Sequence, residues 1–284
     1  MPHAVETRIE GVPTSTAALV GEAGQGPTDQ AVLVTSQSEF QQSFGGFQPG
    51  HTLFLAASHF FANGGHKAWI VRLGARSLRG VGRGLAALDA EEDIGLLCLP
   101  GLSGGTTLAT GAAYARRRRA FFLADPAGSR AATLEAARAI RPADAGHVAM
   151  YVPRLRVPDP LRASATTLCG PSASVAGLLA RTDRDRGVWA VAAGTEAGLR
   201  GPVGLASSFD DRAAATLRRQ GINTIREVPG HGVGLWGART VGGGGQRGEE
   251  WKYVPVRRTA LFIEESVHRG TQWVVFEPND EPTW

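Results

Sequence analysis

Along this chain, short apolar runs without internal alternation are separated by longer stretches in which apolar residues recur every three or four positions. The first kind reads as strands covered on both faces, the second as amphipathic helices. Residues 31–73 read as strand, helix, helix, strand. AVLVTS is a short strand, Ser36 with Glu39 makes a capping-box pattern, and Gly45 and Gly46 stop the helix that follows. HTLFLAASHFFANGG is a second helix with Phe54, Ser58 and Phe61 along one side, stopped at Asn63 and Gly64; KAWIVRL then returns as a strand. The composition next shifts to glycine, arginine and serine in GARSLRGVGRG, which predicts a linker over 74–84.

Beyond that boundary DIGLLCLPG, AFFLADPA and HVAMYVP are strands, with helices in TTLATGAAYARRRR and RAATLEAARAI between them. Strands alternating with helices of this length predict βαβ units, a parallel sheet and right-handed crossovers. RLRVPDP reads as a loop, SASVAGLLAR as a helix, RTDRDR as a charged turn and GVWAVAAG as a strand. SSFDDRAAATLRRQG is a capped helix ending at Gly221, and INTIREV with GVGLWGARTV forms two strands turned at Pro229-Gly230. The helix RRTALFIEESVHRG shows Ala260, Ile263 and Val267 on one face, with Glu265 and Arg269 paired at i, i+4. A last apolar run, Trp273, Val274, Val275 and Phe276, predicts a buried strand. The fold expected is α/β with mixed α+β ends: a central parallel βαβ sheet flanked by helices. The organisation expected is an N-terminal arm and α/β region (1–73), the linker (74–84), a central α/β domain (85–200), and a C-terminal α+β domain (201–284) packing with 1–73.

Composition narrows the function classes. A chain of 284 residues, 43% hydrophobic, can bury roughly three quarters of its unfolded surface as a compact fold. No apolar stretch of about 18 residues and no charged-then-apolar leader is visible, so the sequence reads as soluble, without membrane insertion or an export signal. The net charge is a mild +4, and only Lys67 and Lys252 among the basic residues are lysine. The one dense basic run, Arg116 to Arg119, closes a helix, where cations complement the dipole; it does not read as a nucleic-acid patch. Cys98 and Cys169 suit reduced, packed thiols.

Candidate chemistry is thin. GVGLWG, residues 232–237, matches G-x-G-x-x-G but sits in a strand with no helix after it, so no helix N-terminus faces a phosphate. No P-loop, no H-E-x-x-H and no zinc spacing is present. Asp125, His147 and some serine could be strung into a triad, but no nucleophile elbow supports one. The paired acids Asp210-Asp211, Glu249-Glu250 and Glu264-Glu265 are adjacent, so their side chains diverge. The reading is therefore no catalytic residue, no cofactor and no metal site, a pattern that suits a structural or assembly protein better than a catalyst.

Several stretches together resemble the sheath proteins of contractile phage tails and related contractile injection systems. IEGVPTSTAALVGEAGQGP, VLVTSQSEFQQSFGG and HFFANGGHKAWIVRL are similar to that family's N-terminal signature. IGLLCLPG, RRAFFLADP, YVPRLRVPDP and SVAGLLARTDRDRGVWAVAAGTEAGLRG resemble its central region, and LRRQGINTIREVPGHGVGLWGARTV with EWKYVPVRRTALFIEESVHRGTQWVVFEPNDEP its C-terminal one. The resemblance implies a subunit made in the bacterial cytoplasm and assembled in a phage tail or phage-tail-like particle. There it would stack in sixfold rings around an inner tail tube protein, contact baseplate proteins, and shorten to drive the tube through a target envelope. Neighbours in the family are linked by terminal arms that add strands to adjacent subunits. HAVETRIEG suits such an arm, with Val5, Thr7 and Ile9 on one side, and Trp273, Val274, Val275 and Phe276 are the second set of subunit-interface candidates.

Two departures qualify the resemblance. Many family members carry extra domains between KAWIVRL and DIGLLCLPG, where only a short stretch stands here, which implies a compact sheath. The family also continues past FEPND with a helix and strands; the expectation is a chain without its C-terminal arm, monomeric or weakly self-associating. Two other readings stand beside the sheath: a subtilisin-like serine hydrolase, since the family's central region is described in those terms, and an assembly-incompetent sheath relative acting as cap or regulator. Against the hydrolase, His147 is followed by Val148 and Ala149, and no GTS motif occurs.

Overall fold

A computed structural model describes residues 9–243 and 249–276. The chain runs through β1 (Ala17–Gly21), β2 (Ala31–Val34), α1 (Gln37–Phe44), α2 (Leu53–Ala62) and β3 (Ala68–Arg72). It continues with α3 (Leu78–Ala86), β4 (Leu96–Cys98), α4 (Gly105–Arg117), β5 (Phe121–Ala124), α5 (Arg130–Ala139), α6 (Pro142–Ala145) and β6 (Val148–Val152). Then come β7 (Leu155–Asp159), β8 (Arg162–Cys169), α7 (Ser172–Arg186), β9 (Gly204–Leu205), α8 (Asp211–Arg219), β10 (Ile222–Val228), β11 (Gly232–Trp236) and α9 (Val254–Gly270).

One eight-stranded sheet, ordered β11-β10-β6-β5-β4-β1-β3-β2, takes strands from every part of the chain. Its six inner strands are parallel, and antiparallel β2 and β11 close its two ends. The inner strands are apolar without alternation because helices cover both faces. On one face Leu19, Ile70, Phe121 and Tyr151 meet α1, α2, α7 and α9 through Phe40, Leu53, Val175 and Leu261. On the other Val20, Val71, Phe122 and Met150 meet α3, α4, α5 and α8 through Val81, Leu108, Ala136 and Leu217. A smaller antiparallel sheet, β8-β7-β9, stands apart.

The helix signals at α1 are physical caps. Ser36 Oγ accepts from the Glu39 N–H at 3.2 Å, the Glu39 carboxylate accepts from the Thr35 N–H at 2.7 Å, and Gly45 turns the chain out at φ +81°.

Five expectations are corrected. The stretch 74–84 is not a linker: Ser77 caps α3 by accepting from the Gly80 N–H, and the helix covers the sheet with Val81 and Leu85. RLRVPDP is not a loop but β7, paired with the exposed strand β8; their charged, proline-bearing pattern hides a hairpin that has one face in solvent. RTDRDR is not a turn but the last turns of α7. GVWAVAAG is not a strand: Gly187 leaves α7 at φ +98°, Trp189 is exposed, and the chain afterwards reaches β11 by hydrogen bonds such as Gly194 N–H to Leu235 O and one isolated bridge, Gly198 opposite Gly234. Residues Trp273 to Phe276 form a 3₁₀ turn. The carbonyls ending α9 capture local donors, with the Trp273 indole N–H donating to Gly270 O at 2.9 Å and the Val274 N–H to Thr271 O at 3.1 Å, so no extended ladder forms.

Candidate functional site

The strand order reverses between β1 and β4, because β1 connects outward to β3 while β4 leads to β5 and β6 on its other side. Open α/β sheets bind ligands outside the carboxyl ends of their strands at such a point. A cleft of about 590 Å³ lies on this side of the sheet, lined among others by His51, Gly101, Asp125, Arg154 and Cys169. Asp125 is buried at the end of β5, and its carboxylate accepts from the Ser172 N–H at 2.9 Å and the Ser172 hydroxyl at 2.7 Å. Burial pushes its pKa up to about 6 against those two hydrogen bonds. The Cys169 thiol is pushed up to about 12 by burial and then by the Asp125 charge, so it stays protonated.

The residues of the candidate triad are not brought together. His147 sits at the amino end of β6 and Asp125 at the carboxyl end of its parallel neighbour β5, with Phe122 opposite Val148. At the rise of a strand this separates the two by roughly 13 Å along the sheet. The Ser172 hydroxyl donates to a carboxylate and has no imidazole partner, so nothing there activates a nucleophile. Asp125 and His147 therefore do not come together as a triad. Among the described residues, no group of three or more His, Cys, Asp or Glu side chains could hold a metal ion, and no helix is long and apolar enough to cross a membrane.

The polar chemistry of the fold gathers instead under α9. Arg258 is buried and donates through Nη1 to Asp183 Oδ1 at 2.7 Å and through Nη2 to Asp183 Oδ2 at 2.6 Å and Thr14 O at 3.1 Å. The Thr14 hydroxyl donates to the same carboxylate at 2.6 Å. Arg257 lies 4.4 Å over the Trp251 ring and donates to His147 Nε2 at 2.6 Å and to Glu264 Oε1 at 3.2 Å. An imidazole that accepts from a guanidinium is neutral, and burial together with the Arg257 and Arg116 charges lowers the His147 pKa to about 4. At the far end of α9, Glu265 accepts from Arg269 at 2.7 Å and from Arg119 at 3.2 Å, while Arg269 also reaches Asp93 at 2.9 Å.

These anchors turn α9 over relative to the sequence expectation. Ile263 and Val267 face solvent, with Val256 beside them, and Arg257, Arg258 and Leu261 face inward. Similarly, the side of α2 carrying Phe54, Ser58 and Phe61 is only partly buried, and Leu53, Ala57 and Phe60 enter the core where Gly177 lets α7 approach closely. Phe54 packs edge-on to Phe40 and Phe47. The run Arg116–Arg119 is spoken for residue by residue, through Asp144, Asp89, the carbonyls of Asp89 and Glu91, and Glu265.

Of the interface candidates, Ile9 is half-exposed and seated against Gly270 at the end of α9. Trp273 donates to the carbonyl of that same glycine, so the two predicted sets meet there. Trp273 and Val274 are partly buried, and Val275 and Phe276 complete the 3₁₀ turn. Val5 and Thr7 lie outside the described residues. Sequence reasoning grouped Ala260, Ile263 and Val267 on one face of α9 but missed that this face points outward, and it missed the arginines beneath it. The signal was Val256 in register with Ala260, Ile263 and Val267, a stripe extending over the whole helix, opposite an adjacent pair of arginines.

No protein-family model matches the sequence, and no curated protein matches it. Among solved structures, the chain is similar to the sheath of an extracellular contractile injection system, PVC, in its contracted state. The identity is 25%, over 97% of this chain and 73% of that one, at a TM-score of 0.77. It is also similar to the contracted helical sheath of the anti-feeding prophage, AFP, with 25% identity over 100% of this chain and 78% of that one and a TM-score of 0.79. The sheath tail protein from Listeria innocua shares the fold at 9% identity, with a TM-score of 0.70 over 96% of this chain and 82% of that one.

Proposed function

We propose that this chain, whose fold is that of the contractile sheath proteins, is itself a structural subunit of a contractile sheath. In this reading copies polymerise as stacked sixfold rings around an inner tube, meet a baseplate at one end, and shorten to drive the tube through a target envelope. The observation that carries it is the likeness to the contracted AFP sheath over 100% of this chain at 25% identity. The particle would be a phage tail or a phage-tail-like injection device. Its partners would be further copies of the chain, the tube protein and baseplate proteins.

Subunits that build an open or helical array need heterologous contacts, in which two different patches meet. The junction at Gly270, where Ile9 and Trp273 converge, is one place where terminal segments could reach a neighbour, with Val5, Thr7 and Val274 to Phe276 as further candidates. The test is electron microscopy of the full chain coexpressed with its tube protein. Striated sleeves around tubes are the expected result, and soluble monomers with bare tubes would overturn the reading.

A further inference from the structure

We infer that the outer stripe of α9 in one copy docks into the groove between α3 and α4 of a second copy. This rests on the sheath reading and supplies a contact for it. The stripe is formed by Val256, Ala260, Ile263 and Val267, spaced to lie on one side of the helix, with Val256 48%, Ile263 54% and Val267 44% exposed. Three branched residues standing out from one face of a firmly anchored helix form a ridge. Arg258 on Asp183, Arg257 on His147, Glu265 on Arg119 and Arg269 on Asp93 hold the opposite side of α9 inward, so the ridge cannot turn into its own core.

The same molecule carries a matching hollow. Between α3 and α4 lies an open groove of about 580 Å³ with the buried Leu85 and Tyr114 at its bottom and Gly82, Ala86, Ala109 and Ala113 along its sides. Small side chains keep the sides low, and a ridge of branched residues laid between them is the ridges-into-grooves arrangement by which helices pack. Arg117 and Arg141 border the groove with exposed side chains already paired to Asp89 and Asp144 of their own chain, and Glu264 stands next to Ile263 on the ridge, half-exposed, with one oxygen engaged by Arg257.

Placement decides the occupant. α9 belongs to the sheet face covered by α1, α2 and α7, while α3 and α4 cover the other face. Ridge and groove therefore lie on opposite sides of one subunit, and neither can meet its mate within the chain. A ridge-to-groove contact between copies is heterologous and leaves a free ridge and a free groove after every addition, so it propagates. An outer helix serving only the tube protein would leave the groove without a role.

The experiment uses the full chain coexpressed with the tube protein. The double variant Ala109→Cys with Ile263→Cys is oxidised and run without reductant, with each single variant as control. A ladder of covalently linked oligomers in the double variant alone is expected; the buried Cys98 and the partly buried Cys169 are shared by all three, so any link through them appears in the single variants too. In parallel, Ala109→Glu and Ile263→Lys should each cut pelletable sleeves at least about tenfold, the effect of ~1.4 kcal/mol per contact, and the two together should restore them. Circular dichroism and the melting temperature of these surface variants confirm the fold, and the disulfide arm does not depend on a destabilising charge. Sleeves from the wild type that persist in both charge variants, with no ladder, would overturn the docking and leave the sheath reading intact. Loss of sleeves with Ile263→Lys but not Ala109→Glu would assign the ridge to the tube and also overturn it. A wild type that forms no sleeves at all would remove the sheath reading first.

Discussion

At the scale of single residues, the protonation of His147 is set by what surrounds it. Arg257 donates to its Nε2 at 2.6 Å, Arg116 adds a second positive field, and the buried Asp144 beside it is itself paired with Arg116 and Arg141. The folded-state pKa is about 4 against an ordinary 6.5. A group whose pKa is depressed by folding contributes stability above its unfolded value and loses it as pH falls toward the folded one. The affected window therefore runs from about pH 6.5 down to about pH 4, and between pH 7 and pH 5 the loss from this residue is about 2 kcal/mol. His147→Gln retains an acceptor for Arg257 and has no titrating ring. Urea unfolding at the two pH values should show the wild type losing stability by that much more than the variant; equal losses would refute the assignment.

At the scale of elements, the parallel core was legible because buried strands such as β5 and β6 carry unbroken apolar runs and the helices between them carry caps. What was not legible shares one cause, the competition of local polar bonds with apolar pattern. The run 273–276 looked like a strand, and the carbonyls of α9 took its donors first. The hairpin β7–β8 looked like a loop because Arg154 and Arg156 mask an inward pair, Leu155 and Val157. The α9 stripe looked like a core face, and nothing in the spacing said that Arg257 and Arg258 would find buried carboxylate and imidazole partners. The interface candidates at the two ends of the chain rested on the family resemblance, and the ridge of α9 and the groove between α3 and α4, on opposite faces of the sheet, were not read from the sequence as an interface. Arg258 is the side chain that fixes the outcome. Arg258→Met fills similar space but leaves the buried Asp183 carboxylate with only the Thr14 hydroxyl, which should cost about 3–5 kcal/mol. Chemical denaturation checks this, and a loss under 1 kcal/mol would show that the pair does not seat α9.

At the scale of the whole molecule, the segments expected to be separate domains share one sheet. β1 pairs with β4 through Ala17–Leu96 to Leu19–Cys98, joining the N-terminal and central parts, and β6 pairs with β10 through Met150–Ile222 to Val152–Thr224, joining the central and C-terminal parts. Removing any one segment would expose the edge of a parallel strand, together with its apolar faces, and such edges are not stable in water. The segment before β1 is tied to α9 as well, since the Val12 N–H donates to Ser266 Oγ at 3.1 Å and Arg258 spans Thr14 and α7. A fold without a cut that spares both sides should melt as one unit despite its length. Scanning calorimetry should give a single transition whose van't Hoff and calorimetric enthalpies agree, near 200 kcal/mol at about 60 °C on the usual per-residue scale. Independent N-terminal and central domains would instead give resolved transitions of much smaller enthalpy each, and a van't Hoff value well below the calorimetric total. That result would mean the β1–β4 pairing is dispensable to both halves. A single transition would mean that the N-terminal, central and C-terminal segments fold and unfold together through the shared sheet.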